Sequence, residues 1–141
     1  MRRWAGWVPR VRSVLGVTLA LVLLTACGHN GDIRSYLREE FGSSSRAGES
    51  ETWQNNRPVG TVTAAIVGDR EPLARRADGG NEYLRYDDDV VIVSAAPGGG
   101  SQILAEDLDS GRYRAGAFAY LGPGFSPGSP VPGDGGPGDS K

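Results

Sequence analysis

The chain predicts a single small α+β domain, with one or two short helices packed on an antiparallel β-meander of three to four strands. Three observations carry this. The 141 residues allow one domain. A short amphipathic segment with helix-capping residues at both ends occupies residues 32–42. Segments with strand composition, separated by turn-forming residues, run from Glu82 to about Tyr120.

Residues 1–26 read as an export signal rather than as part of the domain. MRRWAGWVPRVR carries Arg2, Arg3, Arg10 and Arg12 and no acid, and VLGVTLALVLL at 14–24 is apolar. A bilayer-spanning helix needs ~20 residues, so this run is too short for one. A basic segment, a short apolar segment and small residues after it make a secretory signal peptide. Ala5 and Gly6 stand where a twin-arginine signal takes bulky apolar residues, so the general secretory route is expected. The apolar run ends in Leu24-Thr25-Ala26-Cys27-Gly28. Small side chains before a cysteine admit a signal peptidase, and the thiol of Cys27 is the nucleophile that takes a thioether-linked diacylglycerol. Cleavage before Cys27 removes four Arg and no acid, taking the formal charge from −2 to −6. An acidic domain is not drawn to anionic headgroups, so the acyl chains must hold it at the membrane.

Residues 27–31 are expected to form a lipid-anchored linker, with His29 a solvated residue within it. The helix follows. Asp32 caps its start, Gly42 ends it, and Ile33, Tyr36, Leu37 and Phe41 share one face. Residues 43–50 have loop composition. Trp53 lies in a short polar stretch expected at a sheet edge. Residues 58–67 suit a helix with Val59, Val62 and Ile66 in a stripe and Gly68 beyond its end, although the β-branched content also suits a strand. Residues 69–81 read as a charged surface excursion.

Three strands are expected at Tyr83–Tyr86, Val90–Val93 and Gln102–Ala105, and a fourth through Tyr113 to Tyr120. The apolar run at 90–93 does not alternate, which predicts a central strand covered on both faces. The core is expected to rest on Trp53, Tyr83, Tyr86, Val90, Ile92, Ile103 and the helix faces. From Leu121 to Lys141 the chain has 12 Gly or Pro among 21 residues. That composition predicts a disordered tail, leaving residues 32–120 as the domain.

The composition removes several kinds of chemistry. One Cys excludes a disulfide framework and a multi-thiolate zinc site. One His, two residues past the lipid attachment point, leaves no base for a Ser–His mechanism. The net acidic balance gives no footprint for nucleic acid. Gly98-Gly99-Gly100 lies between strands rather than before a helix, so it is no phosphate loop. Carboxylates remain. Asp87, Asp88 and Asp89 share one turn, and Glu106, Asp107 and Asp109 another. Such clusters bind Ca²⁺ when enough oxygens converge, and a carboxylate-pair hydrolase would need a cleft between two acids, one of them raised in pKa to donate a proton; solvated turns are the ordinary alternative.

The expectation is therefore a non-catalytic, lipid-anchored protein on the extracytoplasmic face of the cell membrane, without a cofactor. It would work by contact with an envelope protein or polymer. The alternative is a ligand- or Ca²⁺-binding lipoprotein using turns 87–89 and 106–109. Fourteen of the 15 basic residues are Arg, and Gly is abundant, as in a GC-rich actinobacterial genome.

The layout resembles a family of small, uncharacterised lipoproteins of Gram-positive bacteria. The resembling residues are Leu24–Cys27, Ile33–Phe41, Arg57-Pro58-Val59, Tyr83-Leu84-Arg85-Tyr86 with the Asp-Asp after it, Val90–Val93, Ser101-Gln102-Ile103, Glu106-Asp107 and Arg112-Tyr113. The resemblance implies a location and a domain, and it implies no activity and no catalytic residues.

Overall fold

A computed structural model describes residues 32–129. Helix α1 spans Ile33–Phe41 and is followed by strands β1 (Ser44–Ala47) and β2 (Ser50–Asn55), helix α2 (Val59–Asp69), strands β3 (Ala74–Asp78), β4 (Asn81–Arg85), β5 (Asp89–Ala95) and β6 (Ser101–Asp107), the short helix α3 (Gly111–Arg114) and one 3₁₀ turn at Ala119–Leu121. The strands form one six-stranded sheet in the order β1-β2-β6-β5-β4-β3, antiparallel at every pairing. Strands β3 to β6 are a meander, and the β1–β2 hairpin is added to its β6 side.

The α+β class, the first helix and the three named strands are as expected. Asp32 accepts a hydrogen bond from the Arg34 amide (3.0 Å), and Gly42, at φ 74°, closes α1 by donating its N–H to the Arg38 carbonyl (3.1 Å). Residues 59–69 are helical, so their apolar stripe outweighs their β-branched content; Gly68 lies inside this helix rather than past its end.

The sheet is larger than the three to four strands expected. Ser44–Ala47 is an edge strand whose four residues are all exposed, although it has loop composition. Trp53, expected at an edge, lies on an interior strand between β1 and β6 and is fully buried. The stretch 69–81 holds β3, which turns into β4 through Gly79 and Gly80 (φ 57° and 83°). Two consecutive positive φ values match the twist of a two-residue hairpin, and glycine reaches them without strain.

Alternation along β5 splits the core in two. Val91 and Val93 point to one face, where they pack with Trp53, Leu84, Ile103 and the apolar stripes of α1 (Ile33, Leu37) and α2 (Val62, Ile66). Val90 and Ile92 point to the other, where they meet Tyr83, Tyr113, Phe118, Leu121 and Phe125. The central strand is thus covered on both faces, as its sequence predicts.

What covers the second face corrects two expectations. Residues 113–120 are not a fourth meander strand; they are the end of α3, a turn and the start of the 3₁₀ turn. The segment from Leu121 onward is not wholly a disordered tail, because Leu121 and Phe125 are buried against the sheet. Arg76 Nε donates to the Leu121 carbonyl (3.1 Å), Arg85 Nη1 to the Gly124 carbonyl (2.6 Å) and the Tyr113 hydroxyl to the Ser126 carbonyl (3.2 Å). The packed unit therefore extends beyond residue 120. The remainder of the expected tail, 130–141, lies outside the described residues.

Candidate functional site: a charged cleft beneath the first helix

One end of the helix-covered face carries charge instead of apolar side chains. Glu51 on β2 has the same strand parity as Trp53, and Asp89 on β5 the same parity as Val91, so both carboxylates point inward beneath α1. Arg34 and Arg38, four residues apart, project from one side of α1 onto them.

Arg34 Nε and Nη2 both donate to Asp89 Oδ1 (2.9 and 2.7 Å), and Nη2 also donates to the Glu49 carbonyl (2.7 Å). Arg38 meets Glu51 as a fork, Nε to Oε1 at 2.9 Å and Nη2 to Oε2 at 2.6 Å. Ser44 Oγ (2.6 Å) and Arg46 Nη2 (2.9 Å) complete the shell of Glu51. Two-pronged guanidinium–carboxylate pairs fix orientation as well as charge. They pin α1 to β2 and β5, and Ser44 and Arg46 tie β1 to the same Glu51 carboxylate.

The two buried carboxylates respond oppositely. The hydrogen bonds from Arg38, helped by Ser44 and Arg46, outweigh burial and hold Glu51 down at about 2. Burial dominates at Asp89 and pushes its carboxyl above the usual range against the pull of Arg34, with the charges of Asp32 and Asp107 adding to the rise. A desolvated, ion-paired carboxylate at the edge of a cleft is a recognised mark of functional sites.

The cleft itself has a volume of about 400 Å³ and is lined by Asp32, Arg34, Arg38, Arg46, Gly48, Glu49, Asp88, Asp89 and Asp107. It joins the two acidic turns singled out in the sequence. Asp89 lies opposite Asp107 in the β5–β6 register, and the Leu108 amide donates to the Asp88 carbonyl (2.9 Å). Within the turns the residues diverge. Asp87 and Asp88 are exposed, Asp89 is buried and held by Arg34, and Asp107 Oδ1 accepts from the Asp109 amide (2.7 Å). Asp109 points away to Arg114 (3.1 Å), and Glu106 lies on the opposite face with Ser110 and Arg112. Among the described residues no three His, Cys, Asp or Glu side chains are grouped to hold a metal ion.

Sequence reasoning missed Glu51, Arg34 and Arg38. The signal was present in the alternation Glu51-Thr52-Trp53, which places a carboxylate on the face of a large aromatic expected in the core. The expected lipidation residue Cys27, with Leu24, Thr25 and Ala26 before it, lies outside the described residues, as does His29.

Fold and cleft together define a small α+β domain: an antiparallel sheet clasped on both faces, with a buried ionic network at one end. By sequence, the chain belongs to the family described as Domain of unknown function (DUF4247), whose pattern matches residues 20–137. Uncharacterized protein MT2674 and Uncharacterized protein Rv2599, from two strains of Mycobacterium tuberculosis, are each 35% identical to it over 101 residues, covering 72% of this chain and 70% of theirs. No solved structure matches the chain. The actinobacterial kinship expected from the sequence is thus present among these relatives.

Proposed function

We propose that this protein is an exported lipoprotein, attached through a diacylglyceryl thioether at Cys27 to the outer face of the cell membrane, whose domain acts by contact with an envelope component rather than by catalysis. The observation that carries the reading is Leu24-Thr25-Ala26-Cys27 placed directly at the end of an eleven-residue apolar run. Two acyl chains give stable anchoring where one is marginal. The non-catalytic part is supported by the two buried carboxylates at the cleft end of the sheet: Asp89 Oδ1 and both oxygens of Glu51 are engaged by arginines.

Four residues separate Cys27 from Asp32, where the described domain begins. Five residue steps at ~3.6 Å keep that point within about 18 Å of the lipid-bearing sulfur. The reading predicts that Cys27→Ser abolishes incorporation of a clickable fatty acid in cells and leaves precursor uncleaved. Equal labelling of wild type and variant would sink it.

A further inference from the structure

We propose that the charged cleft beneath α1 receives the zwitterionic headgroup of an aminophospholipid, a primary ammonium a few bonds from a phosphate, and so orients the domain on the membrane that anchors it. The inference rests on the lipid-anchor reading for its choice of partner. Its chemistry comes from the cleft.

Two kinds of unused hydrogen-bonding capacity line the same cleft. Among the described residues, the carboxylates of Glu49 and Asp88 accept no hydrogen bond from protein. They stand beside Asp107, at the acidic lip. Among the same lining residues, Arg46 spends only Nη2 and Arg38 only Nε and Nη2 on Glu51, and both side chains remain substantially exposed. An ion of one sign would meet like charge among these residues. A ligand carrying both signs can set its ammonium against Glu49 and Asp88 and its phosphate against the guanidiniums. Guanidinium suits phosphate because its fork matches two oxygens.

Location selects the source of that zwitterion. Asp32 lines the cleft and is also the first described residue after the short linker from Cys27. In an anchored chain the Asp32 end of the cleft is therefore held within about 18 Å of the anchoring residue. Headgroups are the zwitterions present there at high local concentration, and tethering turns the encounter into an intramolecular one, which raises the occupancy of a site that binds vesicles on its own.

The test uses the mature chain 27–141 carrying Cys27→Ser, so that no acyl group contributes, in sedimentation with three vesicle preparations. These are phosphatidylcholine alone, and phosphatidylcholine with about a third phosphatidylethanolamine or about a third phosphatidylglycerol. Choline carries the same charge as ethanolamine and has no N–H to donate; phosphatidylglycerol has the anion without the ammonium. The expected result is binding at least tenfold tighter to the phosphatidylethanolamine vesicles than to either other kind. Asp88→Asn with Glu49→Gln should remove that preference while leaving the urea midpoint within the scatter of wild type, and Arg46→Gln should remove it with a small drop in the midpoint, since Arg46 also donates to Glu51. Equal binding to all three vesicles, or to none, overturns the proposal. Capture of soluble phosphoethanolamine without binding to its vesicles overturns the lipid assignment and makes the cleft a site for a free zwitterion. Failure of Cys27 labelling removes the anchor, a separate result, because the vesicle measurement is made on a chain without lipid.

Discussion

Replacing Phe125 by Ala tests whether the C-terminal segment is part of the domain. Phe125 is fully buried, and its partners on the second face include the central-strand residues Val90 and Ile92. The flanking backbone is pinned, since Arg85 donates to the Gly124 carbonyl at 2.6 Å and Tyr113 to that of Ser126 at 3.2 Å. A cavity left by the ring therefore cannot close by a simple shift of the chain. Removing a buried Phe side chain costs about 3–5 kcal/mol when the surroundings relax incompletely, whereas exposed positions change stability by about 0.5 kcal/mol or less. A domain of this size has about 5–15 kcal/mol in total, so the variant should lose a large fraction. At about 4–8 °C per kcal/mol, Tm should fall by at least about 12 °C. Urea unfolding of the soluble chain followed by tryptophan fluorescence gives the difference directly, because Trp53 lies in the opposite cluster and reports global unfolding. A loss below about 1 kcal/mol with an unchanged m-value would refute the packing argument and return residues 121–129 to the status of a loose tail.

Further predictions concern the sheet, a turn and the ionic network. Val91→Asp and Ile92→Asp should both unfold the domain, since they bury an unpaired charge on opposite covered faces; circular dichroism showing one of them folded with near-wild-type stability would mean that one face is wet. Gly100→Ala should cost about 2 kcal/mol or more, because φ is 76° and a Cβ would overlap the Asn55 carbonyl oxygen; an unchanged urea midpoint would disprove that close approach. Glu51 binds its proton less readily folded than unfolded, so its contribution is present above the usual carboxylate range and is lost as pH falls toward about 2. Asp89, raised by burial, works in the opposite direction as pH falls. Because Arg38 and Arg46 are partly exposed, the Glu51 share should be about 1–2 kcal/mol after screening. Glu51→Gln should lower stability at pH 6 and flatten its decline between pH 5 and 3, and an identical decline in wild type and variant would rule out Glu51 as its source.

Particular residues show what was legible in advance. Asp32 and Gly42 bound α1 because capping is local chemistry between a side chain or a free φ and the nearest peptide groups. The run Val90–Val93 announced a strand covered on both faces, because a run without alternation leaves no polar face for water. Composition likewise leaves a single Cys and a single His for thiolate or imidazole chemistry. These features depend on spacing along a few residues, and that spacing is written in the chain.

Other features required the assembled sheet. Ser44–Ala47 is a strand solely through its pairing with β2, and its exposed, polar residues carry no period-two pattern. Phe125 is a single apolar residue among Gly, Pro and Ser, and only the β4–β5 face, more than thirty residues earlier in the chain, makes its burial favourable. Asp89 reads as one of three turn aspartates until Arg34, fifty-five residues before it, is seen to lie on its carboxylate. Local propensity and composition report what a segment prefers in isolation. Edge strands, a docked C-terminal segment and a buried ion network are each paired with something distant in sequence, and the free energy that selects them resides in those long-range contacts.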